Sequence, residues 1–369
     1  MEEKPAKKKG KKGLALLLVL LLVAAAGGTA TAVYIAGNNS DQAEEESERA
    51  RWLAEQLGNT AVLEVTFDDT IEVKTPLTVA GEKTLAGSGT IVYRGEASKW
   101  GDKSIRIPKD ECAALHFGDV TGLDALFTVK DGGSLNVGGN VTLDGGKAAV
   151  VAVVEKNSTL TVSGEAVLKN SLGATVVNDG KVSVEGGMLQ ATSGYNIVNH
   201  AELTVAGGEI NGSGDRMMAV LTSGTTNLTG GTVKNEQGTG VYQTDGSFTM
   251  TGGKLDSALI DNIYIGGGKA NVTDGTITYG DHGIHNAAEA VVTGGSYEFN
   301  GHQIHNEAKM ELTGATFATS TQHSIVNTGE KADMTVKDVV VQSATVHAFY
   351  NVRGAVMNAE NITVESAMA

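Results

Sequence analysis

The sequence predicts an all-β fold in which the chain winds into a solenoid of stacked coils, each about 22 residues long. Three observations predict this fold. Two landmarks recur along the chain with the same period and do not drift apart. Short runs rich in Val, Ile and Thr alternate with clusters of Gly, Asn and Asp, which is typical of strands separated by turns. One position of the repeat never holds a polar residue.

The clearest copy of the repeat is residues 269–288, KANVTDGTITYGDHGIHNAA, which residues 289–308, EAVVTGGSYEFNGHQIHNEA, restate almost position by position. Each copy holds three short runs, which are too brief and too rich in glycine for helices. At about 3.3 Å per strand residue, one copy makes one coil with three strands. Successive coils then stack about 4.8 Å apart, so that equivalent residues form ladders along the axis.

Apolar side chains at three positions of the repeat are expected to point inward and fill the solenoid. The alternating first run supplies Leu203 and Val205, Phe248 and Met250, Ala270 and Val272, and Met310 and Leu312. The second run supplies Leu189, Ile210, Val233, Leu255, Ile277, Tyr297, Phe317 and Val339. The third run supplies Ile197, Val220, Val241, Ile263, Ile284, Ile304, Ile325 and Phe349.

Two motifs connect these coils to a known family. The runs GIHN at 283–286 and LTVAGG at 203–208 are similar to motifs in the right-handed parallel β-helix repeats of bacterial cell-surface proteins, which have a pectin-lyase-like fold. The resemblance extends from about Thr60 to the C-terminus. It implies a single-stranded, right-handed parallel β-helix. It does not select a function, because this fold carries lyases, other glycan-active enzymes, adhesins and inert stalks.

The N-terminal segments predict a membrane anchor. Residues 1–13 are rich in lysine and are expected to form a cytoplasmic tail, and residues 14–36 carry no charge and are expected to form a transmembrane signal-anchor helix. The rest of the chain would then be extracellular, at the cell membrane. The alternative is a secretory signal cleaved after Ala30-Thr31-Ala32, which would make the protein secreted.

The remaining segments follow in order. Residues 37–58 are acidic and predict a helical linker that acts as a solvated spacer, with a helix over 41–57. Residues 59–133 are expected to form the first coils, with an insertion at 95–118 that is either an inserted loop or a cap that shields the first coil. Residues 134–369 are expected to form regular coils.

Charge and cysteine content exclude two classes of protein. The formal net charge is −15, and an acidic domain binds nucleic acid poorly. The single cysteine, Cys112, excludes a disulfide framework within the chain.

Two polar columns run along the repeat. The first consists of asparagines whose amides are expected to bond from coil to coil: Asn178, Asn199, Asn286, Asn306, Asn327 and Asn351. The second lies four positions earlier and contains the weak candidates for a transition-metal site: Asp261, His282, His302, His323 and His347. Because side chains alternate along a strand, His282 and His285 are expected on opposite faces, so that only residues of different coils could share a metal. The alternative is a stacked imidazole ladder.

The position just before the asparagine column is expected to face outward and to carry a row of rings, which we call the ring stripe: Tyr242, Tyr264, His285, His305 and Tyr350, with Val326 as an interruption. Rings about 4.8 Å apart on a solvent-exposed face would suit the stacking of a glycan. The alternative is that the rings pack on each other across coils and only stabilise the sheet.

The favoured function is therefore an adhesin-like binding or scaffolding module for surface glycans or a surface protein, without an assigned catalytic residue or a required cofactor. The alternative is a polysaccharide-active lyase or hydrolase of the same fold. Its candidate acids are Asp256, Asp261, Asp274 and Asp281, which could also hold Ca²⁺ at turns. A groove of long loops over these acids would favour the enzyme.

Overall fold

The structure, a computed structural model, describes residues 30–33, 42–79, 81–106, 114–256 and 258–367. They form a parallel β-solenoid with the predicted coil length of about 22 residues. Each regular coil contributes three strands, and equivalent strands of neighbouring coils pair in parallel. The paired strands form three ladders, which we call the first, second and third ladders in the order in which the chain enters them.

The first and second ladders together form one continuous sheet. The strands of the first ladder are Val62–Phe67, Glu82–Gly87, Ser134–Val137, Thr159–Val162, Lys181–Val184, Glu202–Val205, Thr225–Leu228, Glu289–Val292 and Lys309–Thr313. The strands of the second ladder are Thr70–Val73, Thr90–Tyr93, Thr142–Asp144, Val167–Lys169, Met188–Gln190, Glu209–Gly212, Thr232–Asn235, Ser296–Glu298 and Thr316–Ser320. Four longer strands run through both ladders: Ser247–Asp256, Lys269–Thr278, Asp333–Ala344 and Val356–Val364.

The third ladder is a separate 12-stranded sheet. Its strands are Leu77–Val79, Ala125–Val129, Val150–Val154, Ala174–Asn178, Tyr195–Asn199, Met218–Thr222, Thr239–Gln243, Asp261–Ile265, His282–Asn286, His302–Asn306, Ile325–Thr328 and Phe349–Val352.

The turns between the first and second ladders require glycine. Gly208 and Gly231 adopt φ values of +69° and +68°, a left-handed conformation that is open to glycine without strain. A Cβ atom at Gly208 would lie 2.5 Å from the carbonyl oxygen of Gly186 in the coil before. The stacking of coils therefore depends on the missing side chain as much as on the backbone torsion.

The predicted inward ladders are confirmed. The third-run residues from Ile197 to Ile325 are almost completely buried, and the second-run residues from Leu189 to Val339 are buried as well. Together with the first-run residues they form one continuous core along the solenoid. Phe349, the last predicted member, is only partly buried against this core. The right-handed sense of the coil stays a prediction.

The acidic segment is not a free spacer. It contains the helix Gln42–Gly58, whose Leu53 and Leu57 are completely buried in the solenoid core. The helix packs against the strands at 62–79, and Arg49 forms an ion pair with Asp69. Because these leucines lie four residues apart on one helical face, the helix covers the first coil as a cap. The expectation of a solvated spacer is therefore wrong.

The structure describes only a small part of the predicted membrane span at 14–36. That part, Ala30–Val33, is a strand that pairs in parallel with Val62–Phe67 rather than a helix. A backbone that bonds to the solenoid edge cannot also satisfy its hydrogen bonds within a helix. No helix among the residues that the structure describes is long and apolar enough to cross a membrane. Residues 1–29 lie outside the described residues.

The insertion at 95–118 is an inserted loop, and the expectation that it caps the first coil is wrong. It contains an antiparallel hairpin of Asp102–Arg106 and Ala114–Gly118, and it packs along the outer face of the third ladder. The first coil is already closed by the helix. Cys112 lies outside the described residues.

Candidate functional site on the outer face of the third ladder

A local feature of the third-ladder strands decides which side chains reach the outer face. In several strands two consecutive side chains point into the core, as Val151 with Ala152 and Ala219 with Val220 do. The pairing between neighbouring coils skips one residue at this place. The residues on both sides of such a pair therefore point outward, as Met218 does.

This feature overturns the expectation that His282 and His285 point to opposite faces. Their ring centroids lie 4.9 Å apart on the same outer face. The alternation of side chains holds only for a regular strand, and the strand departs from it between these two residues. The histidine column and the ring stripe are consequently neighbours, although the sequence predicts that they are separate.

The outer face has two halves. The covered half consists of the outer-face residues from Ala125 to Leu221, which are mostly apolar. They lie beneath Trp100 and Phe117 of the insertion and beneath Leu123, which follows it. The backbone N–H of Gly118 donates a hydrogen bond to the hydroxyl of Tyr195 over 2.8 Å, which ties the insertion to this half. Phe117 packs edge-on against Tyr242, and there the cover ends.

The ring half consists of the outer-face residues from Tyr242 to Tyr350. Tyr242 and Tyr264 stack with centroids 4.6 Å apart, Tyr264 meets His285 edge to face at 4.8 Å, and His285 lies 4.6 Å from His305. These four residues of the ring stripe thus form a continuous row. Since the rings pack against each other, and Tyr264 and His285 are buried, the row offers little ring face to a ligand.

Tyr350 is separated from that row. It is 40% exposed and stacks on His323 with centroids 4.5 Å apart. His323 also stacks on His347, and their Nδ1 atoms lie 3.0 Å apart. Tyr350, His323 and His347 therefore form a second group, toward the last described coil.

Five polar residues form what we call the imidazole cluster: Asp261, His282, His285, His302 and His305. Asp261 Oδ1 lies 2.7 Å from His282 Nδ1 in a hydrogen bond, and 3.4 Å from His285 Nδ1 at an ion-pair distance. His282 Nε2 lies 3.2 Å from His305 Nδ1. His302 stacks on His282 with centroids 5.1 Å apart.

Burial and neighbouring charges shift the pKa values of the residues in and beside this cluster. Burial raises the pKa of Asp261, but the neighbouring His285 and His282 outweigh this effect and hold the pKa well below the usual range of a carboxyl group. Burial, reinforced by the neighbouring imidazoles, lowers the pKa of His302 to about 3 and that of His305 to about 2. At neutral pH His302 and His305 are therefore neutral beside the carboxylate of Asp261, and their nitrogen lone pairs can bind a cation. Burial, followed by the charge of Asp261, raises the pKa of Tyr242 to about 12.

The asparagine column has the structural role that its residue type predicts. Asn178 donates to Asn199 Oδ1 over 2.7 Å, Asn286 donates to Asn306 over 2.7 Å, and Asn306 donates in turn to Asn327 over 2.8 Å. These amides are buried and link neighbouring coils.

Three of the four candidate catalytic acids are occupied by local contacts. Asp256 forms an ion pair with Lys254 at 2.8 Å, and Asp274 accepts a hydrogen bond from the backbone N–H of Gly275 over 2.7 Å. Asp261 belongs to the imidazole cluster. Two surface depressions of about 550 and 370 Å³ lie elsewhere, one beside Lys156 and Asp179 and one beside the insertion.

One exposed pair of rings was missed by the analysis of the sequence. Tyr279 and Phe299 are 55% and 44% exposed, and they stack with centroids 5.3 Å apart. Both have positive φ values, 58° and 55°, which is unusual for a bulky residue. The signal was present in the sequence, because both aromatics occupy the same position in the two clearest copies of the repeat.

Comparison with protein-family models, with curated proteins and with solved structures finds no match to this chain. The resemblance to bacterial pectin-lyase-like surface proteins therefore stays an expectation from sequence motifs.

Proposed function

We propose that the chain is a membrane-anchored, outward-facing β-solenoid that acts as an adhesin-like module and binds surface glycans through the exposed rings Tyr279 and Phe299. The observation that carries this proposal is the exposure of the two rings at left-handed backbone positions. Backbone strain of this kind costs about 1–2 kcal/mol for each residue and is found preferentially at functional sites.

The pair suits a sugar better than the ring stripe does. Its rings project from the solenoid surface, whereas Tyr264 and His285 are enclosed. Exposed ring edges and a tyrosine hydroxyl can contact the C–H groups and hydroxyls of a sugar. The evenly stacked coils also present equivalent positions at regular intervals, which favours an extended polymer over a small molecule.

The anchoring part of the proposal depends on the uncharged segment that follows the basic residues 1–13. The proposed anchor is the segment 14–36, of which the structure describes only Ala30–Val33, as a strand. A signal cleaved after Ala30-Thr31-Ala32 is the competing outcome. Fractionation of cells that express the full chain, with N-terminal sequencing of the product, separates a membrane-bound protein from a secreted one.

The alternative, a polysaccharide-active lyase or hydrolase, has less support. Asp256, Asp261 and Asp274 are engaged by neighbouring groups, and the insertion lies over an apolar surface rather than over an acidic one. A pair of free carboxylates facing a groove would have favoured the enzyme.

A glycan-array screen on residues 42–369 tests the proposal, with the double variant Tyr279→Asn/Phe299→Asn as the main comparison. Asparagine accepts the left-handed conformation, so the variant is expected to fold and to lose at least about tenfold in glycan affinity, or about 1.4 kcal/mol. Val356→Ala removes an equally exposed apolar side chain elsewhere and is the matched control.

Glycan binding by the wild-type protein distinguishes a glycan-binding module from a scaffold and from an enzyme. Binding that survives in the double variant would contradict the assignment of Tyr279 and Phe299. The absence of any glycan binding by the wild type would leave a scaffold or a protein-binding module as the better account. Release of a product from a bound glycan would favour the enzyme.

A further inference from the structure

We propose that the imidazole cluster is a binding site for one divalent transition-metal ion of the Zn²⁺ class, with His282, His302 and His305 as ligands. This inference is independent of glycan binding, because it depends on a different part of the surface. One potential ligand nitrogen or oxygen from each of His282, His302 and His305 lies within 4.8 Å of the other two. The set spans two neighbouring coils, so the stacking of the coils brings the ligands together.

The separation of two ring nitrogens supports the site. His282 Nε2 and His305 Nδ1 lie 3.2 Å apart. Two ligands of a tetrahedral zinc ion, each about 2.0–2.1 Å from the metal, are separated by about 3.3 Å. The distance between the two nitrogens is therefore already that of neighbouring ligands around such an ion.

Asp261 occupies the position of an orienting residue. Its Oδ1 accepts a hydrogen bond from Nδ1 of His282, which directs Nε2 of the same ring toward His305. Ligand histidines usually donate their second ring nitrogen to a carboxylate in this way, and the carboxylate makes the imidazole a better ligand. Asp261 is buried, and a cation in the cluster would also balance its charge.

Ring nitrogens without partners supply the second, independent observation. Nε2 of His285, in a ring that is only 4% exposed, and Nδ1 of His302 have no hydrogen-bond partner among the residues that the structure describes. Nδ1 of His285 and Nε2 of His305 have only longer ion-pair contacts, 3.4 Å to Asp261 and 3.8 Å to Glu307. Buried polar atoms are normally satisfied, so a group of unsatisfied ones points to a missing ligand. We assign His285, whose ring centroid lies 4.6 Å from that of His305, to the fourth position.

The donor set selects the class of metal. Imidazole nitrogens favour Zn²⁺, Cu²⁺, Ni²⁺ and Co²⁺, whereas Ca²⁺ and Mg²⁺ require sites built from oxygen ligands. The cluster contains four imidazoles and one carboxylate. The ion would enter from the outer face, where His302 and His305 are only partly buried.

The chain offers a matched control at His200. Its Nδ1 lies 2.8 Å from Asp179 Oδ1, almost the same distance as between His282 and Asp261, but both residues are exposed and belong to none of the candidate ligand sets among the described residues. If a histidine beside an aspartate were enough to bind the ion, His200→Gln would weaken binding as much as His282→Gln does.

The test uses the full-length chain without a histidine tag, stripped with EDTA and titrated with ZnCl₂ by calorimetry. We expect one ion per chain. His282→Gln and His305→Gln should weaken binding more than about 100-fold, Asp261→Asn should weaken it about 10- to 100-fold, and His200→Gln should leave it unchanged. CaCl₂ should produce no saturable heat.

A second measurement keeps the proposal testable if a variant fails to fold. Co²⁺ added to the stripped wild-type protein should give the visible absorption of a tetrahedral site with nitrogen ligands, and ZnCl₂ should displace it. The proposal is wrong if the folded wild type binds neither ion, or if folded His282→Gln and His305→Gln bind Zn²⁺ as the wild type does.

Discussion

The covered half and the ring half of the third ladder share one backbone design and differ in what lies on it. In both halves the outward positions flank the same inward pair of residues, yet the position that holds Met218 in the covered half holds Asp261 and His282 in the ring half. The insertion covers the apolar half and ends at Tyr242. The comparison teaches that a solenoid can build either additional core or a polar site at one position, since each coil repeats the backbone while the side chain is free to change.

Removing the main side-chain contact beneath the cover should lower the free energy of unfolding more than any other change considered. Tyr195 is buried against the insertion and is hydrogen-bonded to Gly118, so Tyr195→Ala should lower the free energy of unfolding by about 3–5 kcal/mol. Urea unfolding followed by Trp100 fluorescence, in a Trp52→Phe background, measures this change locally.

The matched substitution in the ring half is Tyr350→Ala. Because Tyr350 is largely outside the core, the expected loss is below about 1 kcal/mol. Equal losses for the two tyrosines would show that the insertion does not stabilise the covered half in the way described.

Two patterns in the sequence predict where a third-ladder side chain points: the coil period and the alternation of side chains along a strand. The prediction succeeds only for residues that follow both. Ile197, Ile284 and Ile304 follow both the coil period and the strand alternation, so their inward position could be predicted. His285 follows the coil period. Its distance from His282, however, depends on a local departure from the alternation of side chains along the strand, and no residue type in the sequence indicates that departure. The sequence therefore predicts two separate columns where the structure has one imidazole cluster.

Two other parts of the fold differ from the sequence-based expectation for different reasons. The acidic composition of the helix at 42–58 indicates a solvated spacer, but the spacing of Leu53 and Leu57 places both on one face, which packs on the core. The insertion has no periodicity, so its contact with Tyr195 could not be deduced from the sequence. Tertiary packing decides the position of such a segment.

Low pH should lower the stability of the ring half through its buried histidines. The pKa values of His302 and His305 are lowered, so the unfolded chain binds protons at these residues below about pH 6.5 while the folded chain does not. Stability must therefore fall as the pH drops from about 6.5 toward 3. The lowered pKa of Asp261 acts in the same direction at lower pH, because its protonation removes a favourable charge interaction with the neighbouring histidines.

The size of the acid effect has an upper limit of about 1.4 kcal/mol per pH unit for each histidine, and partial exposure of the rings reduces it. Urea unfolding in EDTA at several pH values measures the slope. His302→Gln/His305→Gln should flatten the slope, since the titratable groups that face these rings remain in place: His282, His285, His323, Asp261 and Glu307. An unchanged slope in the double variant would assign the acid sensitivity to other residues.

A smaller loss is expected when only the hydroxyl of Tyr195 is removed, which accepts from the N–H of Gly118 and donates to its carbonyl oxygen over 3.4 Å. Tyr195→Phe keeps the buried ring but leaves the N–H of Gly118 without its 2.8 Å acceptor, so the insertion should be less stable by about 1 kcal/mol, or roughly fivefold in its opening equilibrium. Amide exchange at Gly118 and the flanking strand measures this opening directly. A rise in exchange confined to the insertion would show that the cover opens independently of the coils beneath it, whereas a rise throughout the covered half would show that cover and coils unfold as one unit. Exchange at the level of the wild type would mean that apolar packing by Trp100 and Phe117 holds the insertion without help from the hydroxyl.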